Sequence, residues 1–138
     1  MNVDKIMTKK IVTVEMDDSL SLLKEIFDNV HFHHLLVVEA GKLHGVISDR
    51  DLLKVLSPNI GTMAETTKDL ASLNKKAHQI MSRQPITLTE GSNIYDAITI
   101  FMEQSISCIP VVNPENKPVG IISWRDILRV ITAKRQKA

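Results

Sequence analysis

A single cysteine, Cys108, stands in the 138 residues. It can form no intramolecular disulfide, so a disulfide framework is excluded and a reducing compartment fits. No apolar run approaches the roughly 20 residues a membrane span needs, and the opening MNVDKIMTKK lacks the apolar stretch of a signal peptide. A cytoplasmic location is therefore expected. Charge of one sign is missing too. The 17 Lys and Arg against 16 Asp and Glu leave a formal net charge of +1, too weak a field to argue for nucleic acid or an anionic membrane as a general partner. The basic residues near the end, Lys134, Arg135 and Lys137, read as a solvated tail. Glycine is scarce, at five residues, and none sits in a Walker loop or a dinucleotide fingerprint. Paired catalytic carboxylates with a plausible base are absent as well. What remains is an ordinary globular composition, 43% hydrophobic and 24% charged. The length suits one compact domain or two small halves sharing a core.

The chain repeats itself. VDKIMTKKIVTV from Val3 resembles AHQIMSRQPITL from Ala77, and Ile26-Phe27 returns as Ile100-Phe101, an offset of about 74 residues. After a one-residue insertion, GVISDRD from Gly45 to Asp51 recurs as GIISWRD from Gly120 to Asp126, followed by Leu53 with Leu128 and Val55 with Val130. Residues 1–56 and 77–138 are the two copies, and 57–76 is a polar linker that could carry a short helix.

Each copy predicts the same run of elements. In the first, Ile11 to Val14 is a short strand. Leu20, Leu23, Phe27 and Val30 then fall at helical spacing behind the capping candidates Asp17, Asp18 and Ser19. Apolar strands follow at Leu35 to Val38 and Leu43 to Ile47, turned at Ala40-Gly41, before a closing helix from Asp49 to Leu56. In the second, a helix over Asn93 to Gln104 precedes strands at Ile109 to Val112 and Val119 to Ile122, with a turn over Pro114 to Pro118. One copy alone would leave an apolar face of its small sheet uncovered. The expected fold is mixed α/β, with two β-α-β-β-α repeats whose sheets pack face to face about a pseudo-two-fold axis.

This element order, with Gly-hydrophobic-hydrophobic-Ser-x-x-Asp at the entry to each last helix, resembles the CBS-domain pair, or Bateman module. The second copy is the closer match, with SCIPVVN and then VGIISWRDIL; the first has Leu36 where Pro110 stands. The chain is also similar to small bacterial CBS proteins of the acetoin-utilisation type. The resemblance implies a sensor without catalytic chemistry. It would bind AMP, ADP, ATP or S-adenosylmethionine in clefts between the repeats and signal through conformation or self-association as a homodimer to an effector protein. Carried over by position, Ser48 and Ser123 meet a phosphate or ribose, and Asp51 and Asp126 take the ribose hydroxyls. The chemistry is sound, because a carboxylate can accept from both hydroxyls of a ribose. Arg50 and Arg125 would supply positive charge beside the acids. The resemblance also implies that adenine lies near Val12-Thr13 and Ile86-Thr87; His34, at the entry to a strand, and its counterpart Cys108 are candidates for lining the clefts.

Other readings of these residues compete. Ser-x-x-Asp can be a helix capping box and nothing more, which would leave a purely structural interaction module. His31, His33 and His34 lack a matching ligand set for a metal and read as solvated or as cleft lining. If His34 faces a phosphate, binding favours its protonated form. Cys108 reads as a small buried hydrophobe, and Met7 and Met81, at matched positions, as packing residues. Trp124 stands opposite Asp49 and could stack on a base or serve a subunit contact. Since Asp49 adds a negative charge and Trp124 does not, the Asp126 cleft should hold the more anionic ligand.

Overall fold

The computed structural model describes residues 1–137, with side chains through 133; the side chains of Lys134, Arg135 and Lys137 lie outside the described residues. Ser19 opens the first helix. Its Oγ accepts from the Leu22 N–H at 3.3 Å, and α1 runs over Leu20–Asn29 with Leu20 and Leu23 buried. Strand β1 (Thr13–Glu15) precedes it, and β2 (His34–Glu39) and β3 (Lys42–Ser48) follow. Between β2 and β3, Ala40 and Gly41 take φ of 51° and 78°. Two successive positive values are what a tight hairpin needs to match strand twist. Helix α2 (Asp49–Val55) closes the first copy. The linker folds into α3 (Thr67–Ala71), capped by Thr66, and a 3₁₀ turn at Ser72–Asn74.

The second copy begins with α4 (Ala77–Ile80) and β4 (Ser82–Arg83), then β5 (Leu88–Thr89). Helix α5 (Ile94–Glu103), capped by Asn93, leads to β6 (Cys108–Val112), β7 (Pro118–Ser123) and α6 (Trp124–Lys137). The fold is mixed α/β with two small mixed sheets, as expected.

Residues fall into two compact units. The first-copy unit comprises Val12–Ala40 and His44–Gln84; the second-copy unit comprises Met1–Ile11, Gly41–Leu43 and the chain from Pro85 onward. In the first-copy unit the sheet order is β1-β2-β3-β4. β1 pairs parallel with β2, Thr13 against Leu36, and β3 antiparallel with β4, Gly45 against Arg83. The core holds Val14, Leu20, Leu23, Leu35, Val37, Ile47, Leu52, Ala77 and Met81. In the second-copy unit the order is β5-β6-β7, with Leu88 against Val111 in parallel and Ile109 against Ile122 antiparallel. Its core holds Val3, Leu88, Ile94, Ala97, Phe101, Ile109, Val111, Ile122 and Ile127. Strands β2 and β6 are buried along four and five successive residues, the continuous apolar pattern of a strand covered on both faces.

Each unit takes its leading segment from the other copy. Val3, fully buried, belongs to the core formed by the second copy, and Thr8 exchanges backbone bonds with Ile121 at 2.9 and 3.0 Å. Ala77 and Met81, from the second copy, lie in the core formed by the first. The matched methionines show why the motif glycines are glycines. A Cβ on Gly45 would stand 2.5 Å from the Met81 Sδ, and one on Gly120 would stand 2.5 Å from the Met7 Sδ. Met7 and Met81 are packing residues, as their polarizable, unbranched chains suggested.

Candidate functional site

The Ser-x-x-Asp segments are built by the junction of a strand and a helix. β3 ends at Ser48 and α2 starts at Asp49, so the Ser48 backbone is extended while the next residues turn. The Ser48 Oγ accepts from the Asp51 N–H at 3.1 Å, and the Asp51 Oδ2 accepts from the Ser48 N–H at 2.9 Å. The second copy repeats this at the β7–α6 junction. There the Asp126 Oδ2 accepts from the Ser123 N–H at 2.8 Å and from its hydroxyl at 3.2 Å, while the Asp126 N–H reaches the Ser123 Oγ at 3.4 Å. Both segments are therefore capping boxes, each satisfying helix-start amides that water would otherwise have to serve. Capping uses one oxygen of each acid. The Asp51 Oδ1 has no protein partner among the described residues, whereas the Asp126 Oδ1 lies 3.7 Å from Arg129 Nη1.

The two acids differ in burial. Asp51 is half-buried, but Asp126 is 6% exposed, a buried charged residue. Asp126 is therefore not an exposed helix-start acid that could be removed with little loss of fold. Its carboxylate is held inside by the Ser123 cap and the Arg129 guanidinium. Arg50 and Arg125 are exposed and bond no acid among the described residues. Arg129 makes the ion pair with Asp126. Its position one turn beyond Asp126 was the signal that could have found it.

The sheet gathers the remaining candidates. In the first-copy unit, parallel pairing sets Thr13 on edge strand β1 beside Leu36, and the Val12 carbonyl accepts from the Leu36 N–H at 3.1 Å. Strand alternation then turns the Thr13 backbone groups away from β2. His34 opens β2 at the same sheet end where Ser48 closes β3. Thus Val12, Thr13, His34, Ser48 and Asp51 share one end of one sheet, although Val12 is itself packed against the core. In the second-copy unit, Cys108 pairs directly with Ser123 in the β6–β7 register. Thr87 precedes β5 at that end and Ile86 is 38% exposed. Cys108 is buried. Trp124, read as a base-stacking or subunit-contact residue, packs on Phe101 with ring centroids 5.0 Å apart and planes at 34°, and keeps 40% of its surface exposed.

Histidines distinguish the first corner. The His33 Nδ1 lies 2.9 Å from the Asp49 Oδ2, and the Asp49 N–H donates to the His33 carbonyl at 2.9 Å. Burial works to raise the Asp49 pKa, but the His33 hydrogen bond, the Arg50 N–H and the nearby imidazoles together outweigh it and hold the carboxyl below its ordinary value. Burial pulls the His34 pKa below 6.5, partly opposed by Asp49 and Asp51, with His33 adding to the depression. Asp49, read from the sequence as an added negative charge, is thus paired with a residue 16 positions earlier. Only the β2–β3 hairpin brings that pair together.

Comparison with known proteins places the chain. The protein MJ1225 of Methanocaldococcus jannaschii is 30% identical over 132 residues, covering 91% of this chain and 47% of that protein. Its crystal structure matches with a TM-score of 0.82 at 29% identity, over 97% of this chain and 51% of that one. The CBS domain pair of protein MJ0100, solved with 5′-methylthioadenosine and S-adenosyl-L-methionine, matches with a TM-score of 0.76 at 29% identity, over 97% and 98% of the two chains. The AcuB chain from Vibrio cholerae shares the fold, with a TM-score of 0.77 at 20% identity over 99% and 93% of the two chains. The chain spans about half or less of the length of three curated M. jannaschii relatives it matches, 47%, 38% and 43%. The CBS domain model matches it twice, over residues 3–58 and 77–133, one match for each copy of the repeat, and the chain belongs to the CBS domain family.

Proposed function

We propose that the chain is a regulatory module that binds an adenosyl ligand, AMP, ADP, ATP or S-adenosylmethionine, and has no catalytic chemistry of its own. The carrying observation is the duplicated Ser-x-x-Asp corner. Each acid caps its helix with one oxygen, and at Asp51 the other oxygen takes no protein donor among the described residues. A carboxylate so placed can accept ribose hydroxyls without surrendering the cap. The edge backbone at Thr13 offers a donor and an acceptor at the same sheet end, the groups that read an adenine edge. The MJ0100 pair, 29% identical over nearly its whole length, holds two adenosyl compounds, which supports the same ligand class here.

Binding would shift the balance between conformations, or between monomer and homodimer, by its differential affinity for them. An effector protein in the cytoplasm would read the result. Among the described residues no helix is long and apolar enough to cross a membrane. A second reading, a structural interaction module with no ligand, draws on the fact that both acids already serve capping boxes. Thermal unfolding with AMP, ADP, ATP and S-adenosylmethionine separates the two. A ligand at a hundred times its Kd should stabilise by about 2.7 kcal/mol. No shift with any of the four defeats the sensor reading in favour of the scaffold.

A further inference from the structure

We infer that Asn116 is a clasp on the outer edge of β3: one residue of the second copy stands in for a partner strand at Leu43, and its release frees the hairpin tip Gly41–Leu43 while both sheets stay folded. This device works whether or not a ligand is bound.

Strand β3 lies between β2 and β4, but β4 has only two residues and meets β3 at Gly45 and Val46. In an antiparallel ladder both backbone groups of one residue face the same neighbour, and residues two apart share that side. Leu43 therefore shares the outer edge of β3 with Gly45, at a point β4 does not reach. Asn116 fills the gap. Its carbonyl accepts from the Leu43 N–H at 2.9 Å, and its Nδ2 donates to the Leu43 carbonyl at 3.1 Å. Leu43 is 6% exposed, so these two bonds satisfy backbone groups that water would otherwise have to reach. Residues Gly41–Leu43 and Asn116 all belong to the second-copy unit.

The clasp is held in place by its own turn. Asn116 adopts a φ of 63°, a left-handed conformation that Asn tolerates, and its N–H donates to the Asn113 carbonyl at 2.9 Å. The Asn113 Oδ1 accepts from the Glu115 and Lys117 N–H groups at 3.0 and 2.9 Å. A side chain presented by so constrained a turn loses little freedom on closing. The repeat supplies no second clasp. In the register that matches Gly45 to Gly120, Leu43 corresponds to Pro118, which has no N–H, and Asn116 to Gly41, which has no side chain. Leu43 also belongs to neither apolar core. Parting it from Asn116 therefore removes no core side chain, and local openings of that kind lie well below global unfolding in free energy.

Amide hydrogen exchange on the full chain, followed by NMR over a series of low urea concentrations, tests the clasp. Local release exposes little surface, so exchange at Leu43 should respond to urea far less steeply than unfolding of the whole chain, measured separately by circular dichroism. Asn116→Gly keeps the left-handed turn and the carbonyl but deletes the donor. Exchange at Leu43 should then rise about five- to fiftyfold, the effect of one lost hydrogen bond that leaves a carbonyl unsatisfied. Asn116→Asp keeps the shape and loses the same donor at neutral pH, and should accelerate Leu43 at least as much. A urea response at Leu43 as steep as that of the whole chain overturns the inference. So does an unchanged rate in Asn116→Gly, or acceleration there without acceleration in Asn116→Asp.

Discussion

Gly45→Ala tests the packing that joins each motif to the leading segment of the other copy. The new methyl would stand 2.5 Å from the Met81 Sδ, 2.8 Å from its Cγ and 3.0 Å from its Cβ. Met81 is only 8% exposed, and contact that reaches back to Cβ cannot be relieved by swinging the end of the chain. Overpacking of this kind costs about 1–3 kcal/mol, offset by about 0.4–1 kcal/mol from the stiffer unfolded chain, since Gly45 is not at positive φ. The net expectation is a loss of about 1–2 kcal/mol. Gly120→Ala is the internal comparison. It meets the Met7 Sδ, Cγ and Cε at 2.5, 2.8 and 3.2 Å, atoms at the far end of a half-buried, flexible side chain, so it should lose less than Gly45→Ala. Urea unfolding of both variants, of Met81→Ala and of Gly45→Ala/Met81→Ala gives a double-mutant cycle. Met81→Ala alone should cost about 2 kcal/mol or more, and the double variant should be less damaged than the sum by about 1 kcal/mol or more. Additive losses, or a Gly45→Ala protein as stable as the parent, would refute the seating of Met81 on Gly45.

Asp126→Ala strips a buried acceptor from Ser123 and a partner from Arg129, so its urea midpoint should fall by the equivalent of about 1–3 kcal/mol, more than for the half-buried Asp51→Ala, at about 1 kcal/mol; equal losses would contradict the difference in burial. The fold depresses the His34 pKa, so between the folded and unfolded values the unfolded chain binds more protons and stability drops as pH falls through about 6.5. His34→Gln should flatten that part of a midpoint-against-pH profile. Asp49 and Asp69 are held below their ordinary 3.8, Asp69 through hydrogen bonds from Ser57 first and then Thr66, so their contributions are present above that value and disappear as pH falls through the depressed ones. Ala40 sits at φ 51° before Gly41; Ala40→Asn creates the preferred Asn-Gly turn and should raise stability by up to about 1 kcal/mol, with a lower midpoint as the contrary result.

The repeated elements were legible because each is governed by local physics. Period-3.6 apolar spacing behind Ser19 and Asn93, apolar runs through Leu35 and Ile109, and a turn at Ala40-Gly41 predict the observed helices, strands and hairpin to within a residue or two. The first strand was less so: Ile11 to Val14 was expected and Thr13–Glu15 found, since a three-residue edge strand is defined by its pairing with β2 rather than by its own side chains. The candidate site was legible in part. Ser-x-x-Asp twice over marked both helix entries, but the pattern could not say that Asp126 is buried or that Arg129, not Arg125, faces it.

The amino-acid order by itself determined that the chain is duplicated, where its elements lie, and which hydroxyl and carboxylate stand at each helix entry, because caps and amphipathic periods act over a few residues. Tertiary structure alone decided that Val3 is buried with the second copy and Met81 with the first, that His33 latches Asp49, and that one oxygen of each motif acid is spent on a cap. Those outcomes depend on burial and on contacts between residues far apart along the chain, which only the closing of the sheets and hairpins brings within reach.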